Sequence, residues 1–164
     1  MEIEKVSCLM VTLNRFEHVR RSVSSFCQQD YPNKELVILT CGGSNYAERL
    51  GALVRSIGRT DIRCVSLGAA VTLGALRNAS VEHALGPMVC QWDDDDLSHP
   101  KRLSMQVEAM RADRARVSFL VDAFHFFGDS RSLYWCDWSR SRATIALPGT
   151  LLASRMLFPA TMSV

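Results

Sequence analysis

Apolar residues follow two different spacings along the chain. Short apolar runs without clean alternation are typical of strands covered on both faces, and they occur at 6–13, 35–41, 62–67 and 88–92. Apolar positions at helical spacing predict an amphipathic helix at 16–29, and further helices are predicted at about 44–57, 72–85 and 100–112. Ser44 or Asn45 is the expected cap of the second helix and Ser98 that of the fourth.

Strands that alternate with helices are the pattern of βαβ units, which build a parallel sheet with right-handed crossovers. We therefore predict an α/β fold, a three-layer α/β/α sandwich with a mostly parallel, Rossmann-like sheet. Beyond residue 112 the pattern changes, because 117–127, 132–138 and 150–153 are predicted as strands without intervening helices. These strands predict a small mixed or antiparallel extension of the same domain.

The composition is that of an ordinary soluble globular chain. Its 164 residues fit one domain, and 48% of them are hydrophobic, which is enough for a packed core. The 19 basic and 17 acidic residues give a net charge of +2, too small for the electrostatic footprint of a nucleic-acid-binding protein. We expect a single domain that binds no nucleic acid.

The six cysteines are widely spaced, with no CxxC pair and no Cys/His cluster at zinc spacing. This spacing favours free, reduced thiols, as in the cytoplasm, over a disulfide framework. Residues 1–5 lack the pattern of a secretory signal, and no apolar run reaches the roughly 18 residues of a membrane span. We expect a cytoplasmic protein.

Polar residues follow three of the predicted strands. In an open parallel sheet, ligands bind outside the carboxyl ends of the strands, where the strand order reverses. The candidates there are Thr12, Asn14 and Arg15 after the first strand, Thr40 and Gly42 after the second, and the aspartates 93–96 after the fourth. The Gly42-Gly43 pair permits close approach of a ligand, although adjacent glycines more often form a turn.

Four adjacent aspartates are the strongest single signal in the sequence. Their mutual repulsion is relieved by a bound cation, and Mg²⁺ or Mn²⁺ prefers hard oxygen ligands together with substrate phosphates. If the strand geometry continues, Asp93 and Asp95 share one face while Asp94 points elsewhere. The alternative is an acidic lead-in to the fourth helix, whose positive end favours carboxylates.

Several familiar motifs are missing. No GxGxxG or GxxxxGK[ST] follows the first strand, and no GxSxG occurs, so an ordinary dehydrogenase, a P-loop enzyme and an α/β-hydrolase are poor interpretations. The four histidines are scattered, and only His99 stands beside the aspartates. By spacing alone, Arg77-Asn78 is a surface or capping pair on the third helix.

Four stretches carry a family resemblance: VSCLMVTLNR (6–15), SVSSFCQQDYPNKELVIL (22–39), LGALRNASVEHALGPMVCQWDDDDLSHPKRL (73–103) and, more weakly, LPGTLLASR (147–155). In this order they resemble the nucleotide-sugar-binding half of a family 2 glycosyltransferase with the GT-A fold. The resemblance covers about residues 5 to 155. It implies a DxD element at 93–95 and a divalent cation, Mn²⁺ or Mg²⁺, as cofactor.

The resemblance also implies a role for each candidate. Thr12, Asn14 and Arg15 fall in the pocket for the base and ribose, next to Thr40 and Gly42, and Arg77 falls where the family places an arginine near the donor diphosphate. Within the DxD element, Asp93 lies near the ribose or metal, Asp94 joins the nucleotide-sugar pocket, and Asp95 is the direct metal ligand.

Two departures from the family pattern stand out. Thr40-Cys41-Gly42-Gly43-Ser44 replaces an Asp-Asp-Gly-Ser stretch, so an aspartate that recognises the base is lacking. No Asp or Glu follows Asp137, whereas inverting members use a downstream acid as base. Asp122, Asp129 and Asp137 are the only downstream acids that could replace this base, and each is more readily explained as a structural or surface residue. We expect a nucleotide-binding part at about 1–112 and the start of an incomplete acceptor-side part at 113–164.

The first functional hypothesis is a metal-dependent, inverting glycosyltransferase. It takes a UDP- or GDP-sugar as donor and a glycan or lipid-linked saccharide as acceptor. The alternatives are a nucleotide- and metal-binding domain without transferase activity and another α/β phosphate-metal enzyme, such as a phosphohydrolase or nucleotidyltransferase. The apolar stretch 147–162 is compatible with a homo-oligomer or with association with the inner face of the membrane. The preferred interpretation is that this stretch packs on its own domain.

Overall fold

Four buried parallel strands form the centre of the protein in a computed structural model that describes residues 3–68, 70–137 and 148–158. They are β1 (Val6–Thr12), β2 (Lys34–Thr40), β3 (Ile62–Ser66) and β4 (Met88–Gln91). Their order in the sheet is β3-β2-β1-β4, so the chain proceeds outward from β1 to β3 and then returns to the other side of β1. The strand order therefore reverses between β1 and β4.

Four helices cover the sheet on both faces. They are α1 (Phe16–Cys27), α2 (Ser44–Ile57), α3 (Leu73–Glu82) and α4 (Arg102–Ala112). One face packs against α1, α2 and α4, through residues such as Phe26, Leu50 and Leu103, and the other against α3 through Leu76. The predicted three-layer α/β/α sandwich is confirmed.

The second half of the chain adds a mixed part to the same sheet. The short strands β5 (Val117–Ser118) and β8 (Leu152–Ser154) extend it to the order β3-β2-β1-β4-β8-β5. β8 runs antiparallel to both β4 and β5. Between them in sequence, β6 (Asp122–Phe127) and β7 (Ser132–Asp137) form a separate antiparallel hairpin. The predicted mixed extension is thus present.

Some predicted boundaries were wrong. The predicted strand 117–127 is two strands, because the chain leaves the main sheet after Ser118. Position 138 of the predicted strand 132–138 lies outside the described residues, as do 147 and 159–162 of the apolar stretch 147–162. The strand predicted at 150–153 is observed at Leu152–Ser154, because Thr150 belongs to the 3₁₀ turn Pro148–Thr150.

The helix caps also differ from the predictions. Gly43, with a φ of 85°, precedes α2, so Ser44 is its first residue and no side chain caps it. α4 begins at Arg102, later than predicted, and Ser98 instead accepts a hydrogen bond from the Arg102 side chain. Thr72 caps α3, accepting a hydrogen bond from the Ala75 N–H.

A buried carboxylate joins the strands at the amino end of the sheet. Glu35, on β2, is 4% exposed. Its Oε1 accepts hydrogen bonds from Ser7 Oγ at 2.5 Å and from the Leu85 N–H at 2.7 Å, and its Oε2 from Arg63 Nε at 3.4 Å. The three donors come from β1, the α3–β4 loop and β3, so Glu35 fixes these elements together.

All six cysteines are free, as predicted; Cys8 and Cys90 are buried and the other four are partly buried. No helix in the described part of the chain is long and apolar enough to cross a membrane.

Candidate donor site

The carboxyl ends of β1 and β4 bring the predicted site residues together. Arg15, in the loop after β1, places Nη1 2.5 Å from Asp95 Oδ2 and 3.8 Å from Asp94 Oδ1. Arg77, on α3, places Nη2 3.9 Å from Asp93 Oδ1. Two arginines from different elements therefore border the aspartates that follow β4, at the point where the strand order reverses.

The predicted orientation of the aspartates was wrong. β4 ends at Gln91 and the chain turns at Asp94 and Asp95, so the alternation of a strand does not continue through them. As a result, Asp94 and Asp95 share Arg15, while Asp93 faces Arg77.

The turn is anchored from α1 and β4. Ser22 Oγ donates to the Asp93 carbonyl oxygen at 2.8 Å, and its own carbonyl oxygen accepts from the Trp92 indole at 3.3 Å. Gln91 Nε2 contacts both carboxylate oxygens of Asp93, at 3.0 and 3.2 Å. Asp93 is thereby tied to α1 through its backbone and to the end of β4 through its side chain.

Asp94 points inward and is only 8% exposed. Burial raises the pKa of its carboxyl, whereas the hydrogen bond from Thr12 and the charge of Arg15 oppose that rise. Desolvation, followed by the negative charges of Asp93 and Asp95, also raises the pKa of Asp96. The acidic turn thus combines an inward carboxyl with the half-exposed carboxylate of Asp95.

Tyr46, on α2, joins the β1 loop and was missed by the sequence reasoning. Its hydroxyl lies 2.8 Å from Thr12 Oγ1 and accepts a hydrogen bond from the Arg15 N–H at 3.1 Å. Asn14 is exposed in the same loop. The only signal in the sequence was an aromatic residue in the first turn of a helix that follows a glycine pair.

Thr40 and Gly42 shape the neighbouring turn. Thr40 is fully buried and its Oγ1 accepts a hydrogen bond from the Gly42 N–H at 3.0 Å. A Cβ on Gly42 would overlap the carbonyl oxygen of Leu13 and lie 2.7 Å from the Tyr46 ring. Glycine is therefore needed at position 42 because the loop after β1 passes close to it.

A cavity of about 230 Å³ adjoins Arg77 and Asp93 between β1, β4 and α3. Apolar side chains such as Leu9, Val11 and Val89 line part of it, and Arg77 and Asp93 supply its charged groups. A larger groove, of about 1070 Å³, lies near Met88 and Arg155 and includes none of the predicted site residues. The chemistry therefore points to the smaller cavity.

The carboxylates at this turn are ligands of the chemical type that divalent cations such as Mg²⁺ prefer. In the described residues, no three His, Cys, Asp or Glu side chains are grouped so as to hold a metal ion by themselves. Mg²⁺ and similar ions usually take one or two carboxylates and complete their shell with water and substrate phosphates. Asp93 and Asp95 supply such carboxylates, and the adjacent Arg15 and Arg77 suit the phosphates.

Comparison with known proteins decides the family. The family described as "Glycosyl transferase family 2" matches residues 7–159. The chain belongs to this family. A curated relative, the "Putative glycosyltransferase EpsE" of Bacillus subtilis (strain 168), is 28% identical over 110 residues, which are 67% of this chain and 40% of the relative. The chain thus spans well under half of that relative's length.

Solved structures share the fold of this chain. Mannosyltransferase PcManGT from Pyrobaculum calidifontis, in complex with GDP-Man and Mn²⁺, matches with a TM-score of 0.67 and 16% identity, over 75% of this chain and 37% of its own. TarS from S. aureus, residues 1–349 in complex with UDP-GlcNAc, matches with a TM-score of 0.70 and 16% identity, over 93% and 46%. The fold is the GT-A type, as the resemblance implied.

Proposed function

We propose that this chain forms the donor site of a glycosyltransferase, which transfers a sugar from a nucleoside diphosphate sugar to an acceptor hydroxyl. The observation that carries the proposal is the pairing of Arg15 with Asp95 and of Arg77 with Asp93. These pairs lie where the strand order reverses, the place at which open α/β sheets bind ligands. Family membership and the GDP-Man and UDP-GlcNAc complexes of the structural relatives support this donor class.

Each candidate then has a place around the donor. Thr12, Asn14 and Arg15 border the base and ribose, and Thr40 and Gly42 shape the turn beside them. The buried Asp94 forms the inner side of this pocket. Arg77 lies on the side of the diphosphate, because its guanidinium faces both Asp93 and the adjoining cavity.

Asp95 and Asp93 would hold the divalent cation, Mn²⁺ or Mg²⁺. When bound, such an ion stabilises the negative charge that develops on the leaving diphosphate. Arg77 acts on the same charge, since planar guanidinium groups form strong, charge-assisted hydrogen bonds to phosphate. Gln91 keeps the Asp93 carboxylate in one orientation throughout.

The reaction we propose is an in-line displacement with inversion at the sugar carbon. The bond from that carbon to the diphosphate oxygen breaks as the acceptor oxygen forms its bond, and the acceptor proton passes to a base. Residues at about 1–112 hold the donor, and those from 113 onward begin the acceptor side. A glycan or lipid-linked saccharide is the proposed acceptor, with the protein in the cytoplasm or at the inner face of the membrane.

Titration calorimetry with UDP and GDP tests the donor site. We expect binding that is stronger with Mn²⁺ than with EDTA and that is weakened about tenfold or more by Asp95→Ala. Asp129→Ala, in the exposed turn of the β6–β7 hairpin, is the matched control and should bind like the wild type. A wild-type protein that binds no nucleotide would overturn the proposal.

A nucleotide-binding domain without transferase activity is the second candidate. It is favoured by the position of the downstream acids, because Asp122, Asp129 and Asp137 all belong to the β6–β7 hairpin. The carboxylate of Asp122 accepts a hydrogen bond from the Trp135 indole at 3.2 Å. Incubation with a panel of nucleotide sugars separates the two, since this candidate predicts affinity without release of nucleoside diphosphate.

A further inference from the structure

Gly149 lies against the carboxylate of Asp93, 56 positions earlier in the chain. A Cβ placed on Gly149 would be 2.5 Å from Asp93 Oδ2 and 3.7 Å from its Cγ. That first distance is shorter than carbon and oxygen atoms tolerate without a bond, so a side chain at 149 would displace the carboxylate. The backbone of Gly149 adopts no left-handed φ, which leaves the contact with Asp93 as the reason for glycine here.

The segment that carries Gly149 is tied down by two buried side chains of α4. Arg102 is 5% exposed, and its Nη2 donates to the Gly149 carbonyl oxygen at 3.3 Å and to that of Gln91 at 2.9 Å. Gln106 is 2% exposed and its Nε2 donates to the Thr150 carbonyl oxygen at 2.9 Å. One guanidinium thus joins Gly149 to the strand end that precedes Asp93.

Arg102 performs this role with neutral partners. Its Nη1 donates to Ser98 Oγ at 3.0 Å and its Nε to Gln106 Oε1 at 3.2 Å, and the guanidinium stacks 5.1 Å from the Trp92 ring centroid. Within the described part of the chain it forms no ion pair closer than 4.0 Å. The planar guanidinium group forms directional hydrogen bonds, which fix the positions of its partners better than an ion pair between mobile surface side chains does.

The Asp93 carboxylate is therefore confined from two sides. The Gln91 amide holds both of its oxygens, and the backbone of Gly149 borders Oδ2. A carboxylate that must accept a metal ion or a ribose hydroxyl needs a fixed orientation, and neighbouring groups commonly provide it.

We propose that Gly149 is a positioning residue of the donor site: held by Arg102 and Gln106, it sets the orientation of the Asp93 carboxylate for metal-dependent nucleotide binding. This inference rests on the proposed function. It adds the 149–150 segment, which directly precedes the cavity-lining Leu151, to a site whose sequence-predicted members all precede residue 96.

Gly149→Ala tests the inference by calorimetry with UDP or GDP. The displaced atom is the end of a side chain, so the variant is expected to fold with a melting temperature close to that of the wild type. We expect the dissociation constant in Mn²⁺ to rise about tenfold and the constant in EDTA to stay unchanged. Gly128→Ala is the matched control, because a Cβ there meets no atom within 4 Å.

A general loss of structure would weaken binding equally in Mn²⁺ and in EDTA, and that result would overturn the inference. So would a Gly149→Ala protein that binds like the wild type in Mn²⁺. In an Asp93→Ala background, Gly149→Ala should have no further effect on affinity, because its target is gone. Independent losses in the double variant would show that Gly149 acts elsewhere.

A second measurement needs no ligand. The Gln91 side-chain amide protons report on Asp93, since Nε2 contacts both of its oxygens. We expect their NMR signals to shift in Gly149→Ala and to stay in place in Gly128→Ala. Unmoved signals would refute the inference even if nucleotide binding by the wild type failed, so failure of this inference and failure of the proposed function are distinguishable.

Discussion

The guanidinium of Arg15 lies 2.5 Å from a carboxylate oxygen of Asp95, although the two residues are 80 positions apart. Arg15 follows β1 and Asp95 follows β4, so the contact spans the strand pair at which the order of the sheet reverses. The side chains are 59% and 44% exposed, and an ion pair in such surroundings contributes only about 0–1 kcal/mol to stability. Their charges are therefore available for a charged ligand.

Replacing Arg15 is expected to affect binding far more than folding. Arg15→Ala should weaken UDP or GDP binding in Mn²⁺ about tenfold, the loss typical of one charge-assisted hydrogen bond, and leave the melting temperature nearly unchanged. Calorimetry and thermal melts measure the two effects. Arg20→Ala is the control, because its exposed guanidinium pairs with Glu17 on α1 and should change neither value. Equal binding losses in both variants would contradict a specific role.

Asp94 is expected to make stability depend on pH. Burial raises the pKa of its carboxyl above that of the unfolded chain, so folding favours the protonated form. The stability linked to this group is greatest below about pH 3.9, the unfolded pKa, and falls as pH rises through the higher folded pKa. Asp94→Asn, which stays neutral, should raise the melting temperature at pH 7 by about 2 °C.

The same variant should show a much smaller gain at pH 3.5, where the wild-type carboxyl is mostly protonated in both states. Scanning calorimetry at the two pH values measures the difference. Asp129→Asn, in the exposed hairpin turn, serves as control and should match the wild type at both. An Asp94→Asn protein that is less stable at pH 7 would show that the hydrogen bond and Arg15 outweigh burial.

Glu35 is expected to be essential for stability. Glu35→Ala leaves the Ser7 hydroxyl and the Leu85 N–H without this acceptor, and Arg63 keeps only its bond to the His83 carbonyl oxygen, so the free energy of unfolding should fall by about 2–4 kcal/mol. Urea denaturation measures it. Glu48→Ala, exposed on α2, should change stability by less than about 0.5 kcal/mol. Equal stability of the two variants would contradict the role given to Glu35.

The cysteines are expected to react in two groups. Cys8 and Cys90 are fully buried on neighbouring strands, and burial raises the pKa of the Cys8 thiol, so both should resist alkylation in the native state. Cys27, Cys41, Cys64 and Cys136 are partly exposed and should react first. Mass spectrometry after timed labelling with iodoacetamide distinguishes them. Labelling of Cys8 at the rate of Cys41 would contradict the packing.

The sequence predicts the central part of the fold because local signals and burial agree there. Strands β1 to β4 are apolar on both faces, and the helices between them carry apolar residues at regular spacing, so their order follows from the pattern. The positions of β5 and β8 do not follow, because two or three residues carry too little periodicity. Their pairing depends on long-range contacts such as that of Gln106 with Thr150.

The candidate site was predictable where chemistry is concentrated in the sequence. The aspartates after β4 and Arg15 after β1 are visible as charges that follow apolar runs, whereas Arg77 was a surface or capping residue by spacing and a site residue only through the family resemblance. Tyr46, Gln91 and Gly149 were not visible, since their importance lies in what they contact and not in their own chemistry. The orientation of Asp93 and Asp95 was mispredicted because the strand ends two residues before the first aspartate.

The position of β8 has a consequence for synthesis of the protein. β4 is paired on one side with β1 and on the other with β8, which is made more than 60 residues later. On the ribosome, β4 therefore presents an open edge, of the kind that pairs with other chains, until residue 154 has emerged. A product truncated before β8 would contain nearly all the site residues and still be prone to aggregation. β8, the last strand in the chain, therefore also protects the four parallel strands from pairing with other chains.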